Sequence, residues 1–155
     1  MLELILDVKM KKIERILISA VVHSTEDPNK VGEAISLLFP FEFKIDVYEA
    51  KGYYGNPIKY LEVKISKKQE IKEFWNYFIK LLDEKDKNYL LDTLEHRIDN
   101  QNILHIRIDK QKAYLGSIRI VEGGDAIVLK IKIVTYPARK EKVVKAVKEL
   151  IINGY

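Results

Sequence analysis

The chain has 155 residues, of which 47% are hydrophobic and 32% charged, and 27 basic against 23 acidic residues give a net charge of +4. This length predicts a single domain over residues 1–155. The absence of cysteine excludes disulfides, cysteine nucleophiles and thiolate metal sites. The longest apolar run, residues 16–22, is too short to cross a bilayer. We therefore expect a cytoplasmic protein without a targeting segment, and we interpret residues 1–9 as an N-terminal extension or the product of an early start codon.

The first predicted elements are a strand and a short helix. Side chains in residues 13–23 alternate between an apolar and a mixed face, which predicts a long strand. Asp27 is suited to cap the following helix, which has Pro28 in its first turn. Apolar residues at helical spacing predict that this helix runs to about Leu38.

A hairpin and two helices are predicted in the middle of the chain. Residues 41–48 and 60–65 show strand alternation, and the Gly52–Pro57 loop separates them. The apolar spacing then changes to that of a helix, which predicts helices over residues 67–84 and 87–97.

The last third returns to strands. A strand is predicted over residues 104–109, and Gly123-Gly124 is suited to a two-residue turn that would pair Ile120 with Ile127. Pro137 is expected to open a final helix. The sum is an α+β domain, a largely antiparallel sheet with helices packed on one face.

Basic residues are concentrated in the last third of the chain and on the uncovered sheet face. Residues 97–155 contain 12 basic and 6 acidic residues, whereas residues 1–96 contain 15 and 17. Strand alternation assigns to the uncovered face Arg15, Ser19, His23, Lys44, Tyr48, Lys64, His105, Arg107, Arg119, Lys130 and Lys132. A sheet that displays cations and aromatic rings is a recurrent RNA-binding surface. An ordinary solvated sheet face is the alternative.

The candidate RNA contacts come from this face and from two loops that contain tyrosine. Contacts to phosphate are predicted for Arg107, Lys110, Lys112, Arg119, Lys130 and Lys132. Tyr54 and Tyr114 are expected to stack on bases or riboses. Asn56 and Gln111 are expected to hydrogen-bond base edges or the 2′-hydroxyl group.

A catalytic reading has less support. His23, Glu26, Asp27, His105 and Asp109 have the chemistry of a metal or acid–base site, but their spacing fits no known motif. The chain also shows no phosphate-binding glycine loop and no nucleophile elbow. We expect a protein that is not an enzyme and has no cofactor, metal or catalytic residues.

Three segments together carry a resemblance: residues 23–28 (HSTEDP), residues 52–58 (GYYGNPI) and residues 107–116 (RIDKQKAYLG). The chain resembles the archaeal RNA-binding family described as predicted exosome subunits. This resemblance implies a compact α+β fold similar to the ribosomal protein that binds 5S rRNA. It also implies RNA binding, and a link to RNA processing or degradation.

An alternative function uses the same sheet face for protein. Leu17 and Val21 fall on that face and would favour a protein-interaction or oligomerisation module. The expected partners are therefore RNA, proteins of an RNA-processing complex, and a second copy of the chain in a homodimer. No membrane partner is expected.

Overall fold

A computed structural model describes residues 12–52 and 54–155 of the chain. The extension predicted over residues 1–9 lies outside the described residues. Within the described ranges the elements are β1 (Ile13–Val22), α1 (Pro28–Ser36), β2 (Asp46–Lys51), β3 (Pro57–Ile65), α2 (Lys68–Leu81), α3 (Glu84–Asp92), α4 (Leu94–Arg97), β4 (Ile103–Asp109), α5 (Lys110–Tyr114), β5 (Ala126–Ile133) and α6 (Lys140–Asn153).

The five strands form one sheet in the order β2-β3-β1-β5-β4, and every neighbouring pair is antiparallel. The predicted alternation of β1 is confirmed, because Ile16 and Ile18 are buried while Leu17 and Ser19 are only partly covered. The helices supply the other half of the core. Trp75 of α2 is fully buried, and its Nε1 donates to the carbonyl oxygen of Leu150 in α6 at 2.9 Å. The α+β class predicted from the sequence is confirmed.

The segment before β2 differs from its prediction. Residues 41–45 are irregular, and the strand begins only at Asp46. The alternating phenylalanines instead pack their rings against one another. The Phe39 and Phe43 rings stack with centroids 4.0 Å apart, and the Phe41 ring meets that of Phe39 edge-on at 5.6 Å. Alternate aromatic residues can therefore pack without a ladder of backbone hydrogen bonds.

The hairpin predicted at Gly123-Gly124 is wrong. Ile120 forms an isolated bridge with Ile108 of β4 rather than pairing with Ile127 of β5. The amide of Val121 donates to the Arg107 carbonyl oxygen at 2.9 Å. Because β5 is hydrogen-bonded to β1 on one side and β4 on the other, it has no free edge for a hairpin partner. Residues 119–121 instead cover the outer edge of β4, which protects it from pairing with other chains.

The helix boundaries also differ in part from the expectations. The Asp27 carboxylate caps α1 by accepting from the amide of Asn29 at 3.0 Å, as predicted, although α1 ends at Ser36. The segment after β4, expected to be a loop that contacts RNA, forms the short helix α5, which Asp109 caps by accepting from the amide of Lys112. The last helix begins at Lys140, three residues after Pro137. No helix in the described ranges is long and apolar enough to span a membrane.

Candidate nucleic-acid interface

The uncovered sheet face is organised in rows that cross the strands. Antiparallel register places side chains of one row opposite each other. One row contains Lys64, Leu17, Lys130 and His105. The next contains Glu62, Ser19, Val128 and Arg107. A third contains Tyr48, Tyr60 and Val21. We call this surface the open face. Leu17, Val21 and Val128 give the two central strands an apolar part beside Ser19 and Lys130. Further cations, the two tyrosines and Glu62 lie on the strands to either side.

The two loops that the sequence singled out border the same end of the sheet. Val22 near the end of β1 pairs with Lys59 near the start of β3, so the β2–β3 loop lies at that end. Asp109 at the end of β4 pairs with Ala126 at the start of β5, and β5 is antiparallel to β1. The β2–β3 loop and α5 therefore flank one end of the open face.

A buried lysine contacts three segments at this end of the sheet. The Lys110 side chain is 0% exposed, and its ammonium lies 2.8 Å from the Val21 carbonyl oxygen, 2.8 Å from Glu26 Oε1 and 2.6 Å from Asp125 Oδ2. A buried charge is tolerated only when it is paired and hydrogen-bonded. Lys110 therefore joins α5 to the end of β1, the loop before α1 and the turn before β5. We call Lys110, Glu26 and Asp125 the lysine cluster.

Two further side chains contact the lysine cluster. The Tyr114 hydroxyl donates to Glu26 Oε2 at 3.1 Å, and His23 Nε2 lies 3.5 Å from Asp125 Oδ1. Burial acts to raise the pKa of Glu26, but hydrogen bonds from Lys110 and the His23 amide and the charge of Lys110 outweigh it, so that this pKa is lowered. Burial and the neighbouring Glu26 carboxylate raise the pKa of Tyr114.

The lysine cluster and its neighbour His23 include two of the residues considered above for a metal or acid–base site. His23, Glu26 and Asp125 have ligand atoms within 4.8 Å of one another, close enough to surround a metal ion. The Lys110 ammonium already lies between the two carboxylates, so a metal ion would have to compete with it. Asp27 and Asp109 are helix caps in this structure. The arrangement is that of an internal ion cluster that positions loops.

The ten residues predicted to contact RNA fall into two groups. The exposed residues are Tyr54, Asn56, Gln111, Lys112 and Lys130. The other five are buried or half-buried, and each is hydrogen-bonded within the protein: Arg107, Lys110, Tyr114, Arg119 and Lys132. The burial of Lys110 is incompatible with the direct phosphate contact predicted for it. Arg119, expected on the open face, instead forms an ion pair with Asp83 at the start of α3, with 2.6 Å between Arg119 Nη1 and Asp83 Oδ2.

Sequence reasoning missed two features of this surface. Tyr60 is 38% exposed on the open face beside Tyr48, and strand alternation carried the signal for it. Asp125 completes the lysine cluster from a turn 15 positions away in the chain, and no local pattern marks it.

The fold and this face define an open-sheet α+β protein with cations and tyrosines on its exposed strands, an arrangement typical of nucleic-acid-binding sheets. A family model described as RNA binding matches residues 15–133. The chain therefore belongs to this RNA-binding family.

Individual relatives cover nearly the whole chain. The RNA-binding protein PAB1135 of Pyrococcus abyssi is 42% identical over an alignment of 139 residues, and the alignment covers 86% of this chain and 90% of that protein. The uncharacterized protein MJ0213 of Methanocaldococcus jannaschii is 41% identical over an alignment of 150 residues, and the alignment covers 91% of this chain and 97% of that protein. The crystal structure of protein AF2318 from Archaeglobus fulgidus is similar with a TM-score of 0.84 and 60% identity, covering 90% of this chain and 99% of that one.

Proposed function

We propose that this protein binds RNA across the open face without cleaving it. The observation that supports this most is the row of Lys64, Leu17, Lys130 and His105, which crosses the four strands β3, β1, β5 and β4. Neither Lys64 nor Lys130 has an ion pair to another described residue, so both ammonium groups can meet phosphate. Phosphate contacts supply most of the affinity in such complexes and position the nucleic acid.

The remaining contacts surround this row. Tyr48 and Tyr60 offer rings on which bases can stack, and Tyr54 adds a ring on the loop, where it is 86% exposed. Further contacts come from residues that flank this part of the sheet. Asn56 and Gln111 would hydrogen-bond base edges or 2′-hydroxyl groups, while Arg107, Lys112 and Lys132 would add phosphate contacts.

The lysine cluster supports a binding role over a catalytic one. Its two carboxylates, which a cleaving enzyme could use to hold a metal ion, both form ion pairs with Lys110. We assign the cluster to holding α5 and the neighbouring loops in place beside the open face. RNA incubated with the protein and a divalent cation should stay intact, and cleavage that a chelator stops would contradict this assignment.

The test is fluorescence anisotropy with a labelled single-stranded RNA at several salt concentrations. Replacing Lys64→Ala and Lys130→Ala together should weaken binding, because two phosphates would no longer be neutralised. The slope of log affinity against log salt should become shallower by about 0.7 for each of these phosphates.

The matched control carries the same change of charge on the helical side of the domain. Lys72 and Lys80 are exposed on α2 and have no ion pair to another described residue. Replacing both with alanine should leave the salt slope close to that of the unmodified protein. Equal weakening in the two double variants would show that only net charge matters, and would contradict a site on the open face.

The resemblance to predicted exosome subunits extends the proposal to RNA processing or degradation in the cytoplasm. In that role the protein would deliver or hold RNA for a complex whose other members carry out cleavage. Co-purification of the tagged protein with ribonuclease subunits, retained after treatment with nuclease, tests this. If every such partner is lost after nuclease treatment, the proteins co-purify only because they bind the same RNA, which would contradict a direct association.

A second candidate is a protein-interaction or homodimer role for the open face. Leu17 and Val21 favour it, because both are apolar and only partly covered. A tight dimer that blocks RNA binding, and that Leu17→Lys dissociates, would support this alternative over RNA.

A further inference from the structure

The open face contains a depression of about 470 Å³ at the end that the two loops border. Val21, Ser19 and Val128 contribute to its floor, from the two central strands β1 and β5. Tyr60 of β3 and Arg107 of β4 also line it, from either side of those central strands. The depression thus combines an apolar floor with an aromatic ring and a guanidinium group.

The width of the depression follows from the strand order. Two strands separate β3 from β4, and Tyr60 and Arg107 lie in neighbouring rows. Their backbones therefore stand three strand spacings, or about 14 Å, apart across the strands and two residues, or about 7 Å, apart along them. Both side chains are long and rise from the same face of the sheet. A flat ring that enters the depression would lie between these two side chains, above the floor formed by the central strands.

Arg107 is oriented by one hydrogen bond to the backbone and has a donor without a partner among the described residues. Its Nη2 donates to the Gly124 carbonyl oxygen at 2.8 Å, while its Nε is buried and has no hydrogen-bond partner among the described residues. A guanidinium held in this way is a planar surface on which a base can stack. The free donor would be satisfied by a ligand oxygen or ring nitrogen after a small side-chain rotation.

Polar groups lie along one rim of the depression. The His23 side chain is 52% exposed, and Asp125 lies beside it with its second carboxylate oxygen facing Lys110. The Ser19 hydroxyl lies at the floor. These groups supply both donors and acceptors at the positions where the edge of a base would lie, which a site for phosphate alone would not need.

We infer that this depression receives one unpaired RNA base, and that the protein therefore selects single-stranded RNA over duplex RNA. The inference rests on the proposed function and specifies which form of RNA the open face binds. In a duplex, the bases are stacked and paired, so none can enter the depression without opening the helix.

The test compares the affinity of one RNA sequence as a single strand and as a blunt duplex, measured with the intact chain. We expect the single strand to bind about tenfold more tightly. Tyr60→Ala should weaken single-strand binding at least about fivefold, the lower end of what stacking on one base contributes. It should leave duplex affinity unchanged, and Tyr60→Phe should restore the single-strand affinity because the ring is kept.

The outcomes separate the inference from the proposed function. Equal affinity for the two forms, with no effect of Tyr60→Ala, overturns the base site while RNA binding by the open face still stands. No measurable binding of either form overturns both. Tyr60 is 38% exposed and pairs across the sheet with Tyr48 and Val21, so circular dichroism must show that the alanine variant is still folded at the assay temperature.

Discussion

Replacing Lys110 with methionine removes the charge at the centre of the lysine cluster and keeps a side chain of similar length. The Lys110 side chain is 0% exposed and is held by Glu26, Asp125 and the Val21 carbonyl oxygen. After the substitution, two carboxylates would face each other without a cation, and a backbone acceptor would lose its donor. The native state should therefore be destabilised.

The size of the effect follows from how well the carboxylates remain solvated. Removing one partner of a fully buried ion pair costs about 3–5 kcal/mol. The Glu26 and Asp125 side chains are 17% and 36% exposed, so water stabilises the carboxylates in part. We expect a decrease of about 2–4 kcal/mol in the free energy of unfolding. A decrease of about 3 kcal/mol would lower the melting temperature by about 6–12 °C.

Urea unfolding followed by circular dichroism measures this decrease. Lys112→Met is the matched control, because Lys112 is exposed on the same helix and should change stability by less than about 0.5 kcal/mol. If Lys110→Met unfolds at the same urea concentration as Lys112→Met, the ion pairs of the Lys110 ammonium do not stabilise the fold.

Two further predictions concern the carboxylate of Glu26. Because its pKa is lowered in the folded state, Glu26 stabilises the protein at pH values above its ordinary pKa of 4.5, and this contribution is lost as the pH falls below that value. The stability difference between the unmodified protein and Glu26→Gln should therefore be constant near neutral pH and shrink in acid. A difference that grows in acid would contradict this sign. Tyr114→Phe removes the donor to Glu26 Oε2 and should cost about 1 kcal/mol in urea unfolding, whereas an unchanged midpoint would show that the hydrogen bond contributes nothing.

Local sequence patterns correctly predicted the features of the fold that depend only on neighbouring residues. The alternation of β1 and the Asp27–Pro28 helix start are both confirmed, since each depends on neighbouring residues. Of the strand expected over residues 41–48, residues 41–45 are irregular, because the phenylalanine ring cluster produces the same alternation. The hairpin expected at Gly123-Gly124 failed because strand pairing is decided by which edges are free, and β5 has none.

The sequence predicted which face of the sheet carries the candidate site, but it did not predict which individual residues are free to bind RNA. Alternation placed Lys130 and Arg107 on the open face, and the surplus of basic residues pointed to a polyanion. The sequence could not show which cations are already neutralised. Lys110 is 84 positions from Glu26, and Arg119 is 36 positions from Asp83, so both ion pairs depend on the complete fold.

The comparison of the two double lysine variants shows whether RNA lies on the open face. On the same single-stranded RNA, removing the charges of Lys64 and Lys130 should weaken binding and make the salt dependence shallower, while removing those of Lys72 and Lys80 should change neither. If the two variants bind RNA equally well at every salt concentration, the open face is not the RNA-binding surface.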